Sequence, residues 1–254
     1  MYYCGIDIGS RTSKIAVFKN NEMVYDRVVM TGLIPGETAM TLKIGAQKAL
    51  NTVEEFKVIA TGYGRNTVET EFRVISEISC HAKGINHLFP QAELIIDIGG
   101  QDSKGILVGE NGRVNDFVMN DRCAAGSGRF LEKLSEILEI RLDQLGALMR
   151  ESTVDIEINS TCVVFAESEI IGQIAKGVKP ADIAAGVHHA LARRIRNLVA
   201  QFRDYKIVVF TGGVALNEGM TLALENVFEK NILVPENPVI TGAIGAALFA
   251  KNDK

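Results

Sequence analysis

One phrase occurs twice in this chain, and the duplication constrains the fold more than any other feature of the sequence. Residues 4–18 and 94–108 each contain an apolar run that ends in aspartate, then Ile-Gly, a short polar turn, Ser-Lys and a second apolar run. This pattern predicts a strand, a tight glycine turn and a returning antiparallel strand. Because internal repeats indicate duplicated structural units, we expect two related lobes built on the same hairpin.

The residue types in the two turns suit a bound nucleotide phosphate. Glycine lets backbone N–H groups approach an anion, and hydroxyl and lysine side chains add hydrogen-bond donors. A single copy would indicate an ordinary hairpin turn, whereas two aligned copies favour a nucleotide site. The predicted phosphate-site residues are Gly9, Ser10, Arg11, Thr12 and Lys14 in the first hairpin, and Gly99, Gly100, Gln101, Asp102 and Lys104 in the second.

The predicted catalytic side chains are acidic or amide groups of the same hairpins. Asp7 and Asp97 end their strands where a hydrated Mg²⁺ can bind, because this hard cation prefers carboxylates and retained waters. Phosphoryl transfer depends on positioning and charge stabilisation more than on covalent chemistry. We therefore expect a polar side chain to orient the attacking water, and Gln101 and Asp102 are both candidates for that role.

A third glycine turn follows the buried-type strand near residue 211 and leads into a helix. Backbone amides at such a turn can face a ligand, so we expect contacts with adenosine from Gly212, Gly213, Val214 and Asn217. The order of two phosphate hairpins and an adenosine turn resembles the actin, sugar-kinase and heat-shock-chaperone ATPase superfamily. That resemblance implies an α/β, actin-like (ribonuclease H-like) fold of two duplicated lobes with the nucleotide in a cleft between them.

The hydrophobic pattern divides the chain after Pro90, where a new strand begins. The first lobe is expected at residues 1–91, the second at 92–239, and a C-terminal helix within 240–254 is expected to pack back on the first lobe. The predicted strands are 2–8, 14–19, 23–30, 57–61, 93–98, 103–108, 113–119 and 206–211, and the predicted helices are 36–52, 76–88, 126–138, 142–150, 164–176, 181–203, 215–229 and 240–250.

Composition disfavours several classes of partner. The 254 residues are 47% hydrophobic, which is enough to bury substantial cores. The formal net charge of -4 gives no global basic surface for nucleic acid. The sequence contains neither an apolar run of roughly 18 residues nor a leader pattern at its start. We therefore expect a cytoplasmic protein with no nucleic-acid or membrane partner.

The four cysteines fall into two pairs with different surroundings. Cys4 and Cys80 lie in apolar segments and are expected to be buried structural thiols. Cys123 and Cys162 each precede a helix pattern, where the helix dipole favours the thiolate that binds metal. Two thiolates are too few for a closed iron–sulfur or zinc site, but a two-fold dimer would supply four. Ordinary helix-start cysteines and redox-sensing thiols remain open alternatives.

Two further segments carry predictions. Gly126, Ser127, Gly128 and Arg129 open the helix beside Cys123, so they are predicted to touch both phosphate and the metal centre, with a plain glycine helix start as the alternative. A long helix pattern carries His188 and His189 among several arginines. We expect these side chains to form a solvent-facing surface, with a partner-docking face as the alternative.

Four phrases make the family resemblance specific. Residues 60–65, 97–104, 120–128 and 242–247 resemble the activator ATPases of 2-hydroxyacyl-CoA dehydratases, and the likeness extends over essentially the whole chain. The resemblance implies a homodimer that binds ATP or ADP with Mg²⁺. It further implies one 4Fe-4S cluster that bridges the subunits and is held by Cys123 and Cys162 of each.

The same resemblance implies an ATP-dependent, low-potential electron donor. A reduced ferredoxin or flavodoxin would supply the electron, and an acceptor iron–sulfur protein such as a 2-hydroxyacyl-CoA dehydratase would receive it. An aryl-CoA reductase or a double-cubane cluster protein is an alternative acceptor. A small-molecule kinase and a nucleotide sensor without a redox centre are the alternatives of another class, because they share the fold.

Overall fold

The computed structural model describes residues 1–68, 70–121, 123–159 and 162–253 and contains two compact units. The first unit comprises Met1–Ala92, Val108–Asp116 and Val239–Lys254, and the second comprises Glu93–Leu107 and Phe117–Pro238. Two residues of the predicted segments, Arg122 in the phrase 120–128 and Lys254 at the end of the C-terminal segment, lie outside the described residues.

Strands and helices follow one another in groups along the chain. The strands are β1 (Tyr2–Ile8), β2 (Thr12–Lys19), β3 (Glu22–Met30), β4 (Phe56–Thr61), β5 (Arg73–Val74), β6 (Leu94–Ile98), β7 (Ser103–Val108), β8 (Val114–Asn120), β9 (Val208–Thr211) and β10 (Ile232–Leu233). The α-helices are α1 (Pro35–Ala49), α2 (Glu77–Leu88), α3 (Gly128–Leu138), α4 (Leu145–Met149), α5 (Val163–Ala175), α6 (Pro180–Leu198), α7 (Glu218–Phe228) and α8 (Thr241–Asn252).

The two sheets repeat one topology, as the duplicated phrase predicts. The first has the order β3-β2-β1-β4-β5 and the second the order β8-β7-β6-β9-β10. The central strand of each sheet, β1 or β6, pairs antiparallel with the returning strand of its hairpin, β2 or β7. On its other side it pairs parallel with β4 or β9. The polar turn between the hairpin strands therefore lies at the carboxyl end of the central strand, which is the edge where open α/β sheets bind ligands.

Helix α8 packs closely on the sheet of the first unit because glycine allows the backbones to approach. A Cβ atom at Gly5 in β1 would lie 1.9 Å from the carbonyl oxygen of Ala243 in α8. A Cβ at Gly84 in α2 would lie 2.0 Å from the carbonyl oxygen of Thr241. Any side chain at either position would force these elements apart.

The core of the second unit lies between its sheet and helices α3, α6 and α7. Ile96 and Phe210 contribute from the sheet, Phe130 from α3 and Leu191 from α6, and each is at most 1% exposed. Within the described ranges, no helix is both long and apolar enough to cross a membrane.

Every strand and helix predicted from the sequence is present, and the main differences are at element ends. Strands β5 and β10 were not predicted because two residues carry no periodic signal. Helix α3 begins at Gly128 rather than at residue 126, since Ala124–Gly126 forms a 3₁₀ turn. Helix α7 likewise begins three residues later than predicted, after the 3₁₀ turn Gly213–Leu216. Helix α6 ends at Leu198 and not at residue 203.

Candidate functional site

Each hairpin places a lysine directly opposite the strand-end aspartate. Asp7 is in register with Lys14, and Lys14 Nζ lies 3.3 Å from Asp7 Oδ2. Asp97 is in register with Lys104, and Lys104 Nζ lies 3.2 Å from Asp97 Oδ2. All four side chains are largely buried, and buried charges persist only when they are paired. The predicted metal-side carboxylates are therefore fixed in place by the predicted phosphate-site lysines.

A glycine with positive φ stands against each of these aspartates. Gly62 follows β4 with φ +91°, and a Cβ there would lie 2.3 Å from Asp7 Oδ1. Gly212 follows β9 with φ +92°, and a Cβ there would lie 2.6 Å from Asp97 Oδ1. Both features require glycine, because other residues rarely adopt this backbone conformation. Gly62 was not predicted as a site residue, although Thr-Gly after a buried strand occurs at both places in the sequence.

The hairpin turns hold their shape through matching backbone hydrogen bonds. The N–H of Gly9 donates to the carbonyl of Thr12 at 3.1 Å, and the N–H of Gly99 donates to the carbonyl of Asp102 at 2.9 Å. Ser10, Arg11 and Gln101 are exposed at the tips of the turns, where a ligand can reach them, whereas Gly100 is half-buried.

Gln101 and Asp102 have different surroundings. Lys104 Nζ lies 2.7 Å from Asp102 Oδ2, so this carboxylate is already engaged in an ion pair. Gln101 is exposed at the tip of the same turn. An exposed amide can rotate toward a water beside the phosphate, while the paired carboxylate supports the lysine.

The segment beside Cys123 is hydrogen-bonded to residues 99–102, the turn of the second hairpin. This turn is predicted to bind phosphate and is called the second phosphate turn. The N–H of Gly128 donates to the carbonyl of Gly99 at 2.9 Å, and the N–H of Arg129 donates to the carbonyl of Gly100 at 3.2 Å. Ser127 Oγ donates to the carbonyl of Gly100 at 3.3 Å. The first amides of α3 thus bind the phosphate turn itself, and Gly126 lies in the 3₁₀ turn that joins this contact to Cys123.

The third glycine turn leads from β9 through Gly213 and Val214 to Asn217, which caps α7. Asn217 Oδ1 accepts from the N–H of Met220 at 3.1 Å. Its Nδ2 group lies 3.0 Å from Nε2 of His188, whose Nδ1 lies 2.7 Å from the carbonyl oxygen of Ala184. Since a carbonyl only accepts, His188 is the neutral Nδ1–H tautomer, and Asn217 donates to its Nε2.

The expectation that His188 faces solvent was wrong. His188 is fully buried in α6, and His189 is half-buried. Burial lowers the pKa of His188, since the charged form would lose its hydration. Its role in holding Asn217 was missed because the contact joins residues far apart in the sequence. A histidine within an otherwise apolar helical stretch was the available signal.

The four cysteines separate into two buried and two exposed thiols, and the burial of the first two was predicted. Cys4 and Cys80 are buried, and burial raises the pKa of Cys80 to about 12 and that of Cys4 further still. Cys123 and Cys162 are exposed. Cys162 is the residue that precedes α5, and Cys123 precedes the 3₁₀ turn Ala124–Gly126.

Asn120 fixes the backbone at Cys123 and was not predicted. Asn120 Oδ1 accepts from the N–H of Cys123 at 3.1 Å, and Asn120 Nδ2 donates to the carbonyl of Cys123 at 3.1 Å. A Cβ atom at Gly126 would lie 2.2 Å from Asn120 Nδ2, so these two hydrogen bonds require glycine at position 126.

The thiols fit part of an iron–sulfur site. Thiolate sulfur is the usual ligand of such clusters, which take four cysteines, and one chain offers Cys123 and Cys162 as its two exposed thiols. Among the described residues, no three side chains of His, Cys, Asp or Glu form a group that could hold a metal ion. A four-cysteine cluster on these thiols therefore requires ligands beyond those that the described residues of one chain supply.

Helix α5, which begins after Cys162, presents apolar side chains to solvent. Val164 and Phe165 are each 68% exposed, and Ile171 and Ile174 are 51% and 42% exposed. The spacing between these residues puts several of them on one side of the helix. Large exposed apolar patches mark surfaces that bind other proteins.

Sequence comparison finds relatives along nearly the whole chain. The profile of the "BadF/BadG/BcrA/BcrD ATPase family" matches residues 4–250. The 2-hydroxyisocaproyl-CoA dehydratase activator of Clostridioides difficile is 42% identical over 252 residues, which cover 98% of this chain and 95% of that protein. The (R)-2-hydroxyglutaryl-CoA dehydratase activating ATPase of Acidaminococcus fermentans is 42% identical over 253 residues, which cover 98% of this chain and 97% of that protein.

A solved structure agrees with the sequence comparison. The activator of the 2-hydroxyisocaproyl-CoA dehydratase from Clostridium difficile with bound ADPNP superposes with a TM-score of 0.91 at 41% identity, covering 100% of this chain and 95% of that chain. The predicted actin-like α/β fold and the predicted resemblance to dehydratase activators are confirmed by these matches.

Proposed function

This chain belongs to the BadF/BadG/BcrA/BcrD ATPase family, and from that premise we propose that it uses ATP to drive one-electron reduction of an acceptor iron–sulfur protein. The observation that carries the proposal is the connection between the second phosphate turn and Cys123. Gly99 and Gly100 accept the first backbone hydrogen bonds of α3, and Cys123 precedes that helix by one 3₁₀ turn. A change at the phosphate would reach the thiol through this short path.

The two hairpins would bind the nucleotide phosphates. Lys14 and Lys104 supply fixed positive charge, and Asp7 and Asp97 would hold the waters of a hydrated Mg²⁺. Gln101 would orient the attacking water, because Asp102 is already paired with Lys104. Loss of the γ-phosphate would remove the partner of the exposed turn and let its backbone relax.

The adenosine would lie at the third glycine turn. Gly212 and Gly213 offer backbone at the end of β9, and Asn217 is held in one orientation by His188 and by the cap of α7. A side chain that is already ordered loses little entropy when a ligand arrives. His188 is thus a positioning residue for the predicted nucleotide contact.

The two exposed thiols would hold a 4Fe-4S cluster in a homodimer. When bound, this cluster supplies a one-electron carrier. Cys123 and Cys162 provide two ligands, so a two-fold related copy provides the other two. The exposed apolar side chains of α5 support the same assembly, because they begin directly after Cys162. Asn120 would keep Cys123 in its ligating position through two backbone hydrogen bonds.

The names of the relatives support the proposed acceptor, and the donor is part of the same proposal. A reduced ferredoxin or flavodoxin would supply the electron, and a 2-hydroxyacyl-CoA dehydratase is the proposed acceptor, since the relatives are named as activators of such enzymes. An aryl-CoA reductase or a double-cubane cluster protein would be recognised by the same chemistry. Acceptor choice depends on surface complementarity rather than on the fold.

The test is iron, acid-labile sulfide and mass of the protein purified without oxygen. We expect about four irons per dimer, lost in Cys123→Ser and in Cys162→Ser. Cys80→Ala is the matched control, because Cys80 is buried and has no place in the proposed site. An iron-free protein that still hydrolyses ATP would refute the redox function and favour a nucleotide sensor or kinase.

A further inference from the structure

A cavity of about 670 Å³ lies beside Cys123 in the second unit. Apolar residues line part of it, with Met119 from β8 and Ile195 and Leu198 from α6. Among the described residues, Asp121 and Arg194 contribute the charged side chains of its lining. Arg194 and Cys123 both line this cavity, so the positive charge of the guanidinium lies on the same side of the unit as the thiol.

Arg194 is held at this cavity by its stacking partner. The guanidinium carbon lies 5.5 Å from the centre of the Phe130 ring, and Phe130 is 1% exposed in α3. Helix α3 follows the Cys123 turn, so Arg194 in α6 packs on the helix next to one thiol. Arginine suits this position because its planar cation stacks on aromatic rings and is weakly hydrated.

The charge of Arg194 reaches both thiols. Burial lowers the pKa of Arg194, whereas negative charge on Cys123 and on Cys162 raises it. Arg194 of α6 lines the same cavity as Cys123, and its electrostatic interaction extends to Cys162.

We propose that Arg194 compensates the negative charge of the Cys123 and Cys162 thiolates and thereby sets how readily the metal centre they hold accepts an electron. This inference rests on the proposed function. Reduction adds a negative charge to the centre, and a nearby cation stabilises the reduced form more than the oxidised form. Charges and hydrogen bonds around the ligands of such centres are known to determine their reduction potentials. Asp121, which carries the opposite charge at the same cavity, would act in the opposite direction.

The experiment is a redox titration of the iron-loaded dimer, monitored by electron paramagnetic resonance, for Arg194→Gln, Arg194→Lys and Asp121→Asn. In Arg194→Gln we expect the midpoint potential to become more negative. At a fixed solution potential the ratio of reduced to oxidised centre should fall about 3- to 10-fold, as expected for one partly screened unit charge. Arg194→Lys should shift less, since it keeps the charge and loses the stacking, and Asp121→Asn should shift the potential upward.

The control is Arg196→Gln. Arg196 lies two positions further along α6, so it points away from the cavity, and it is exposed. Its substitution should leave the potential unchanged. A full iron content with an unchanged potential in Arg194→Gln would overturn the inference while the proposed function stands. Absence of iron from the unmodified protein would instead refute the proposed function. If Arg194→Gln does not fold, an Asp121→Asn potential that fails to rise overturns the inference.

Discussion

Gly128 donates its backbone N–H to the carbonyl of Gly99 at 2.9 Å, which joins the start of α3 to the second phosphate turn. A Cβ atom at Gly128 would lie 3.0 Å from that carbonyl oxygen and 3.1 Å from Val214 Cγ2. A side chain at this position would therefore push the neighbouring turn or Val214 away by a few tenths of an ångström. The contact connects the part of the chain that would sense the nucleotide to the part that carries Cys123.

Gly128→Ala should uncouple the two parts. The added methyl group displaces the phosphate turn, so we expect weaker nucleotide binding and more ATP hydrolysed per electron delivered. Titration calorimetry with a non-hydrolysable nucleotide and a stoichiometric electron-transfer assay would measure both. Gly45→Ala is the matched control, because no described residue outside its own helix turn lies within 4 Å of the new Cβ in the middle of α1. It should leave both readouts unchanged and stabilise the protein by about 0.5–1 kcal/mol.

Lys104→Met should destabilise the protein more than Lys14→Met. Lys104 is 3% exposed and neutralises Asp97 and Asp102, so its loss leaves uncompensated buried charge at a cost of about 3–5 kcal/mol. Lys14 is 14% exposed and pairs with Asp7. Solvent can partly screen the charge that the substitution leaves on Asp7, so we expect a loss of about 1–3 kcal/mol in the free energy of unfolding. Urea unfolding measures the difference. Equal losses would show that the second pair is not the more strongly buried one.

The cluster-free protein should be alkylated at two of its four cysteines. Cys123 and Cys162 are exposed, while Cys4 and Cys80 are buried. With its pKa raised to about 12, Cys80 carries almost no thiolate near neutral pH. Mass spectrometry after brief iodoacetamide treatment should find label at the exposed pair in the native protein and at all four cysteines after unfolding. Rapid native labelling of Cys80 would contradict the burial.

Acidification should destabilise the protein through His188. Burial lowers its pKa in the folded state, so below the ordinary histidine pKa the unfolded chain binds the proton more readily. Stability is therefore full above about pH 6.5 and falls as the pH drops toward the lowered folded value. Urea unfolding at pH 7.5 and 5.5 should show a smaller loss in His188→Gln than in the unmodified protein. The exposed His87 is the control: His87→Gln should keep the full loss.

The elements could be predicted because their hydrophobic periods are strong and their turns contain glycine. The register that pairs Asp7 with Lys14 follows from the hairpin alone, once the turn is placed between the two strands. Three contacts could not be predicted from the sequence. They are the hydrogen bonds of Asn120 with the Cys123 backbone, the contact between His188 and Asn217, and the stacking of Arg194 on Phe130. The last two join side chains whose proximity depends on tertiary packing, which one sequence does not encode in a local pattern. Asn120 contacts backbone only three residues away, in a segment whose sequence fits several turn geometries. The 3₁₀ turn before α3 was missed because glycine-rich segments fit several turn geometries.

The most direct test of the proposed ATP-driven electron transfer uses the reduced, iron-loaded dimer and an acceptor 2-hydroxyacyl-CoA dehydratase. Transfer is followed optically with ATP, with a non-hydrolysable ATP analogue and without nucleotide, while phosphate release is measured in the same samples. We expect repeated one-electron transfer with ATP, but not with the analogue or without nucleotide. Phosphate release should accompany the transfer and should require the reduced dimer and the acceptor together. Equal transfer without nucleotide, or ATP hydrolysis with no electron moved, would contradict the coupling between the phosphate turn and Cys123.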